Sequence, residues 1–322
     1  MSESSREDYP RFDALPVRDG APPGSSWGVF GDQEQVGTLN FIGPDQVRRA
    51  SELVQDGTVF PLNWDIGLPS PAFFERETVK HTVFEKYPGF AVDDYLDSFW
   101  PQASSQWDGL RHIGDDENGF YNGATLAEVT APGPGKLGME HWATRGIAGR
   151  GVLIDVVRWA REEGVRLDAF DFFPIDAALV GEILTRRNVE LLQGDILVFR
   201  TGWVESYEDL SQPERDELAA QVRPGSPGLY GADIPPFLWN SRVAAVAADN
   251  PALEAGYPSK GSDLSLHRAL IARLGMPLGE LWDLRALAED CERDGRSTFF
   301  LTSAPLRLPG GVGSPPNVLA LK

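Results

Sequence analysis

The residues most able to do chemistry lie in one short stretch, residues 106–112, which holds an acid and an imidazole four residues apart. Carboxylates and imidazoles are common metal ligands, and an imidazole also exchanges a proton near neutral pH. A later pair, His267 and Glu280, repeats the same two chemistries. We therefore interpret Asp108, His112, His267 and Glu280 as one site that the fold must bring together.

The spacing of Asp108 and His112 fits either regular structure, because four residues is near one helical turn and is also an even number along a strand. Such spacing is common by chance, and the stronger HExxH zinc pattern is absent. No GxGxxG follows a predicted strand, and GxxxxGK[ST] is absent, so nothing supports a nucleotide site. The single cysteine, Cys291, is interpreted as a packing residue.

Short apolar runs alternate with amphipathic stretches along the chain, which is typical of α/β proteins. The predicted strands are residues 58–62, 64–66, 79–87, 152–156, 196–200, 243–247 and 298–302. Helices are predicted to begin after residue 43, to span 176–187 and 265–274, and to follow a capping box at Ser211 and Glu214. The pattern predicts one α/β domain over residues 27–322, with a mixed β-sheet core and flanking helices. Residues 1–26, which are polar, are predicted to form an extended N-terminal arm.

The bulk composition excludes several classes of partner. The net charge of −19 gives the chain no electrostatic reason to bind nucleic acid or an anionic membrane. The chain shows neither a signal-peptide core nor an apolar run of about 18 residues, the length that a membrane-spanning helix needs. With one cysteine and no possible intrachain disulfide, we expect a cytoplasmic protein.

Residues 88–125 are rich in aromatic side chains and weak in periodicity. Aromatic residues in such a segment form either ordinary core or the wall of a pocket for an apolar ligand. The sequence leaves both interpretations open.

Over residues 55–305 the sequence resembles the cyclase family of metal-dependent hydrolases, which includes bacterial kynurenine formamidase, isatin hydrolase and trans-dienelactone hydrolase. The family signature is HxGTHxDxPxH. Its Asp and last His match Asp108 and His112, whereas its first two His fall on Gln102 and Gln106. Further family-like segments are GRGVLID at 149–155, GDILVFRTGW at 194–203, LHRAL at 266–270 and LGEL at 278–281.

The resemblance implies a metal centre in a variant form. The family commonly holds one ion largely through the first two signature histidines and a second through the Asp, the last His and a later His and Glu. Glutamine binds zinc or manganese far more weakly than imidazole does. The resemblance therefore implies one divalent ion per chain, Zn(II) or Mn(II), or alternatively a site without metal. The implied ligands are Asp108, His112, His267 and Glu280.

The same resemblance suggests which residues take part in catalysis. The candidates are His112, Glu280 and His141, a spare imidazole that would move protons or else serve a structural role. The candidate substrate contacts are Gln106, which would orient substrate or water, and the aromatic residues Trp107, Phe120 and Tyr121. Arg111 is expected to pair with one of the many acids.

Three functions remain open at this stage. The first is a metal-dependent hydrolase that cleaves a C–N or C–O bond of a small substrate, aromatic or otherwise, through a metal-activated water. The second is a non-hydrolytic cyclase or dehydratase on the same scaffold, and the third is a silent small-molecule-binding protein. In each case we expect a small-molecule partner and a homo-oligomer, a dimer or a tetramer.

Overall fold

The apolar runs predicted as buried strands become neighbours at the centre of one sheet. The computed structural model describes residues 9–221, 225–256 and 265–322. The strands, in chain order, are β1 (Val59–Pro61), β2 (Lys80–Tyr87), β3 (Ala91–Asp97), β4 (Gln106–Asp108), β5 (Ile147–Asp155), β6 (Phe173–Ile175), β7 (Ile196–Arg200), β8 (Pro227–Leu229), β9 (Ala245–Ala248), β10 (Leu278–Glu280), β11 (Thr298–Ser303), β12 (Gly313–Ser314) and β13 (Val318–Leu321).

Helices flank this sheet. They are α1 (Pro44–Ser51), α2 (Leu126–Thr130), α3 (Met139–Arg145), α4 (Val156–Glu163), α5 (Ala177–Arg186), α6 (Trp203–Glu208), α7 (Gln212–Ala220), α8 (Ile234–Asn240) and α9 (Arg285–Asp294). Short 3-10 turns span Phe12–Ala14, Gly37–Phe41 and Tyr121–Gly123, and a π-helix spans Arg268–Arg273. None of the helices in the described parts of the chain is long and apolar enough to cross a membrane.

The central sheet has nine strands in the order β1-β13-β11-β5-β7-β9-β10-β4-β12. Strands β5, β7, β9 and β10 run parallel to one another, and the strands on either side of them pair antiparallel. Residues of the parallel strands are almost all buried, as expected when helices cover both faces of a parallel sheet. The predicted single α/β domain with a mixed sheet is therefore confirmed.

Side-chain caps set where several helices begin. Residues 152–156 were predicted as strand throughout, but β5 ends at Asp155, whose carboxylate accepts from the Arg158 amide at 2.9 Å and caps α4. The predicted capping box before α7 is confirmed, since the Ser211 amide and hydroxyl both donate to Glu214.

The prediction of a strand at residues 64–66 was wrong. Side chains fix this segment instead of a strand ladder. The Trp64 amide donates to Ser105 Oγ at 2.7 Å, and its indole donates to Glu208 at 2.8 Å. The Trp64 ring then joins a buried aromatic cluster with Trp203 and Tyr207, which outweighs the apolar pattern that suggested a strand.

The helix predicted at residues 265–274 is present, but most of it is wound as a π-helix. Its carbonyls bond amides further along than in an α-helix, for example Ala269 to the Leu274 amide at 3.1 Å and Leu270 to the Met276 amide at 2.8 Å. Short π-segments are rare and occur frequently at functional sites. This one begins directly after His267.

Residues 88–125, predicted to be irregular, contain β3 and β4. Strands β2 and β3 form a two-stranded sheet, and both faces of this hairpin are exposed in the described part of the chain. The strand predicted at residues 79–87 is confirmed as β2. Its partner β3 was missed, because alternation needs one buried face, and the described residues bury neither face of this hairpin.

The described part of the predicted arm, residues 9–26, lies against its own chain. The backbone carbonyl of Pro10 accepts from the Trp239 indole at 2.9 Å, and the Phe12 amide donates to Asn240 at 2.9 Å. Tyr9 packs edge-on against Phe41, with ring centroids 5.0 Å apart. Residues 1–8 lie outside the described residues, so a boundary at residue 26 stays a prediction.

Candidate metal centre

Strand β4 places two polar side chains on one face of the sheet and a tryptophan on the other. Gln106 and Asp108 are two residues apart and therefore share a face, with Trp107 pointing the opposite way. Antiparallel pairing with β10 sets Glu280 directly opposite Gln106. The side chains of Gln106, Asp108 and Glu280 are buried, so the pairing of β4 with β10 places two acids in the protein interior.

Between these two strands the chain requires a glycine. A Cβ atom at Gly279, which faces Trp107 in the ladder, would lie 2.6 Å from the Ala247 side chain and 2.8 Å from the Trp282 ring. The missing side chain lets β10 pack closely between its neighbours and keeps Glu280 in register.

His267 completes a compact group with the two acids. Its Nε2 atom lies 3.1 Å from Glu280 Oε1 and 3.7 Å from Asp108 Oδ2. One ligand atom from each of Asp108, His267 and Glu280 lies within 4.8 Å of the others. The structure thus brings together three of the four predicted ligands, from positions far apart in the sequence.

The fourth predicted ligand, His112, lies next to this group and is more exposed. Its Nε2 atom is 3.5 Å from Asp108 Oδ2, and its ring centroid is 6.5 Å from that of His267. The relative solvent exposure of the His112 side chain is 23%, whereas that of Asp108 is 1%. His112 therefore forms the solvent side of the cluster, and its role as a ligand stays a prediction.

Glu254 holds His267 in place and was missed by the sequence analysis. Glu254 Oε1 lies 2.5 Å from His267 Nδ1, and its carboxylate also accepts from the backbone amides of Leu266 and His267. A carboxylate on Nδ1 fixes the ring so that Nε2 faces Asp108 and Glu280, as is usual for metal-binding histidines. Glu254 precedes His267 by 13 residues and belongs to no recognisable motif, so no local signal pointed to it.

Two glutamine amides stabilise the acids. Gln106 Nε2 lies 2.5 Å from Glu280 Oε2 and 3.3 Å from Asp108 Oδ1, and the Gln102 amide also donates to Asp108 Oδ1. Two buried oxygens, Gln106 Oε1 and Asp108 Oδ2, have no hydrogen-bond partner among the described residues. Buried polar atoms are nearly always satisfied, so an unpaired carboxylate oxygen here indicates a place for a cation.

The ionisable groups shift one another strongly. Burial would raise the pKa of Asp108, but the charges of His112 and His267 outweigh it and lower that pKa to about 2. Burial and the negative charge of Asp108 raise the pKa of Glu280 to about 7. Burial opposes charging of His267, yet its bonds to Asp108, Glu254 and Glu280 raise its pKa well above the usual value. The raised pKa values of Glu280 and His267 mean that protons on these groups reduce the repulsion between the crowded carboxylates, as a bound cation would.

The donor set fits a divalent ion. Two carboxylates with one or two imidazoles are the ligands of zinc and manganese sites in proteins. The three grouped ligands are buried and pre-positioned, Asp108 Oδ2 is unpaired, and Glu254 orients His267. The residues therefore satisfy the requirements of a metal centre with a supporting outer shell.

The predicted aromatic substrate contacts do not surround this group. Trp107 is fully buried on the opposite face of β4, where its ring meets Trp282 at 4.8 Å and its indole donates to Ser303. Tyr121 is also fully buried, and its hydroxyl contacts Glu34 at 3.1 Å. These positions correct the predicted substrate contacts of Trp107 and Tyr121. Alternation along β4 directs the Trp107 ring to the opposite face of the sheet, and the Tyr121 ring is buried in the hydrophobic core.

Phe120 is partly buried and packs against the main core, next to Gly114. Its backbone amide bonds the carbonyl of Ala124 at 2.8 Å. Its predicted contact with substrate stays a prediction.

His141 lies on α3, and its Nε2 atom is 3.0 Å from the backbone carbonyl of Gly135. This places the ring outside the group of Asp108, His267 and Glu280. A carbonyl partner fits the structural interpretation, and the role in proton transfer stays a prediction.

Arg111 forms no ion pair with any acid of residues 9–221, 225–256 and 265–322, so the expected pair is not found there. Its guanidinium donates instead to the backbone carbonyls of Lys136 at 2.6 Å and Gly310 at 2.8 Å, which ties two loops together. Cys291 is buried, as predicted for a packing residue.

A second residue that the sequence analysis missed is Arg76. Its guanidinium donates to the backbone carbonyl of Gln102, whose side chain in turn donates to Asp108. No motif surrounds Arg76 in the sequence, so only the fold reveals that it lies beside the cluster.

The fold and site define a class of protein, and comparison with known proteins identifies it. The family model described as "Putative cyclase" matches residues 59–255. A solved structure described as a novel cyclase is 37% identical, covers 92% of this chain and 99% of its own, and superposes with a TM-score of 0.82. The chain belongs to this cyclase family, as the resemblance implied.

More distant solved structures share the fold. Isatin hydrolase A from Labrenzia aggregata, bound to benzyl benzoate, is 17% identical, with a TM-score of 0.59 over 84% of this chain and 94% of its own. Isatin hydrolase A from Ralstonia solanacearum is 16% identical, with a TM-score of 0.60 over 82% and 92%. No curated protein matches the sequence significantly.

Proposed function

We propose that this chain is a metal-dependent hydrolase that cleaves a C–N or C–O bond of a small amide, lactam, lactone or ester. The observation that supports this most directly is the buried Asp108 Oδ2, which accepts no hydrogen bond from the described residues and lies where His267 and Glu280 converge. A divalent ion held there would polarise a carbonyl group and, in favourable zinc sites, lower the pKa of water to about 7.

The proposed centre holds one ion per chain, Zn(II) or Mn(II). Asp108, His267 and Glu280 would supply three ligands and His112 the fourth. Gln106 donates its amide N–H groups to the acids, which leaves one amide oxygen as a weak additional donor. A second ion of comparable affinity would need imidazoles or carboxylates where this chain has amides.

Protons can be moved by the chain's own groups. His112 is the partly exposed imidazole beside Asp108, so it is positioned to exchange protons between the cluster and solvent. Glu280, on the buried side, is held by Gln106 and His267 and contributes a carboxylate that does not need to reorient. A more distant proton transfer through His141 remains part of the proposal.

Elemental analysis tests the metal. We expect about one zinc or manganese per chain in protein purified without chelator, and loss of that metal in His267→Ala. His81→Ala is the matched control, because His81 also contacts an acid, Asp94 at 2.7 Å, but on the exposed hairpin. Two ions per chain would overturn the one-metal proposal, and no bound ion would overturn the metal-dependent function.

The reaction type is tested with a panel of esters, amides, lactones and lactams in ¹⁸O-labelled water. Hydrolysis must place solvent oxygen in the product, and the metal-free enzyme should be inactive. A product without solvent oxygen would instead support a cyclase or dehydratase, and binding without turnover would support a binding protein.

We also propose that the protein is a homo-oligomer. The β2–β3 hairpin exposes several large apolar side chains, and an isolated two-stranded hairpin is marginally stable in water. A second copy would cover this surface. The expected cytoplasmic location stays a prediction.

A further inference from the structure

Arg76 is a cation beside the acid cluster that forms no ion pair with it. Its Nη1 atom donates to the Gln102 carbonyl, and the Gln102 amide donates to Asp108, so two hydrogen bonds and one residue separate the guanidinium from the cluster. Within the described parts of the chain, no carboxylate lies at ion-pair distance from Arg76. An arginine that served only to neutralise Asp108 would be expected to contact it directly.

The surrounding chain holds the guanidinium in place. Phe74 and Glu75 both have φ near 60°, in the left-handed region that bulky residues rarely adopt, and this turn directs the following residue. The Arg76 amide bonds the carbonyl of Phe73 at 3.2 Å, and its guanidinium lies over the Phe74 ring at 5.4 Å. Arg76 itself is partly buried.

The link from Arg76 to the cluster is short. The Arg76 guanidinium donates to the Gln102 carbonyl, and the Gln102 amide donates to Asp108 Oδ1. The Gln106 amide then joins Asp108 Oδ1 to Glu280 Oε2. The guanidinium therefore lies beside both acids without a direct hydrogen bond to either.

We propose that Arg76 forms an anion subsite next to the metal centre and binds a carboxylate of the substrate. This inference rests on the proposed function and deepens it, because it makes the substrate class a small organic acid that also carries the bond to be cleaved. A guanidinium presents a rigid fork that matches a carboxylate in two parallel hydrogen bonds. Such a clamp would fix the acyl group relative to Asp108, His267 and Glu280.

Binding of simple probes tests the subsite. Phenylacetate and its neutral counterpart phenylacetamide are titrated by calorimetry into zinc-loaded protein and into protein stripped with EDTA. In Arg76→Met we expect phenylacetate to bind roughly tenfold to a hundredfold more weakly, with zinc content and phenylacetamide binding unchanged. Arg76→Lys keeps the charge without the fork and should give an intermediate Kd.

Arg215→Met is the matched control. Arg215 also lies over an aromatic ring, Tyr207 at 4.9 Å, and donates to a backbone carbonyl, that of Glu208 at 2.9 Å. It should leave the phenylacetate Kd unchanged, and the thermal midpoints of the Arg76 variants should stay near that of the wild type.

These measurements distinguish failure of the anion subsite from failure of the hydrolase proposal. Zinc-loaded wild type without saturable phenylacetate binding, or with the same Kd as Arg76→Met, would overturn the subsite. Protein that binds no metal would overturn the hydrolase proposal, and the EDTA-treated samples would still show whether Arg76 selects the anion.

Discussion

The side-chain amide of Gln106 lies 2.5 Å from the Glu280 carboxylate, at the directly opposite position of an antiparallel strand pair. One residue is therefore a proposed ligand and the other its hydrogen-bonding support. We expect Glu280→Ala to lose the ion. Gln106→Ala should keep about one ion per chain but bind it roughly tenfold to a hundredfold more weakly, as for other supporting residues. Competition with a chromophoric chelator measures both, and equal loss in the two variants would contradict the assignment.

Glu254 should control metal affinity without binding metal. In Glu254→Gln the His267 ring loses its charged partner, so we expect affinity to fall roughly tenfold to a hundredfold while the fold remains intact. Asp94→Asn is the control, because Asp94 also contacts a histidine, His81, in an exposed pair. Unchanged zinc affinity in Glu254→Gln would show that His267 does not need this carboxylate.

Cys291 should be unreactive in the folded protein. Burial, opposed by the Lys322 charge, raises the pKa of its thiol to about 11. A raised thiol pKa means less thiolate, and thiolate is the reactive form, so labelling should stay slow until the pH approaches that value. We expect iodoacetamide at about pH 8.5 to label the protein in urea but not in buffer. Fast labelling of native protein would place the thiol nearer the surface.

Lys322 is a buried ammonium group held by two acids. Its Nζ atom lies 2.9 Å from both Asp290 and Asp294, and its side chain is fully buried. Lys322→Met leaves Asp290 and Asp294 with only the more exposed Arg293 and Arg296 as partners, so we expect a loss of about 1–3 kcal/mol in the free energy of unfolding in urea. Lys80→Met, which removes an exposed pair 3.9 Å from Glu77, should cost less than about 1 kcal/mol. Similar losses would contradict this assignment.

The hairpin should mediate self-association. Phe90 is 88% exposed, Val92 67% and Tyr95 53%, which is unusual for so many neighbouring apolar residues. We expect light scattering to give a dimer or tetramer for the wild type and a smaller species for Val92→Lys with Tyr95→Lys. Leu126→Lys, at a separate exposed position, should leave the mass unchanged. A monomeric wild type would contradict the oligomer proposal.

Periodicity was sufficient to predict the centre of the fold. The runs that became β5, β7 and β9 are apolar because both of their faces are buried, so local composition and final environment agree. Residues 64–66 were also predicted as a strand, but Trp64 satisfies its polar groups through Ser105 and Glu208. Hydrogen bonds between side chains that are far apart in the sequence produce no periodic pattern in it, so they could not be predicted.

The residues of the candidate site also differ in whether the sequence could predict them. Asp108 and His267 were found because Asp108 stands four residues before His112 and both Asp108 and His267 match ligand positions of the family that the sequence resembles. Glu254 and Arg76 carry no local signal, since their importance comes only from which strand and loop the fold places beside them. The error at Trp107 arose from proximity in sequence, because neighbours on a strand face opposite sides of the sheet.

The place of β4 in the sheet determines when the site can form during synthesis. Strand β4 pairs with β10 on one side and with β12 on the other, so its two partners are made about 170 and 205 residues later. Asp108 leaves the ribosome long before His267 and Glu280 exist. Its strand lacks β10 until Glu280 has been added, and β12 until Ser314 has been added. Binding of the proposed ion would therefore be a late event, and the emerging chain must keep β4 from pairing wrongly in the meantime.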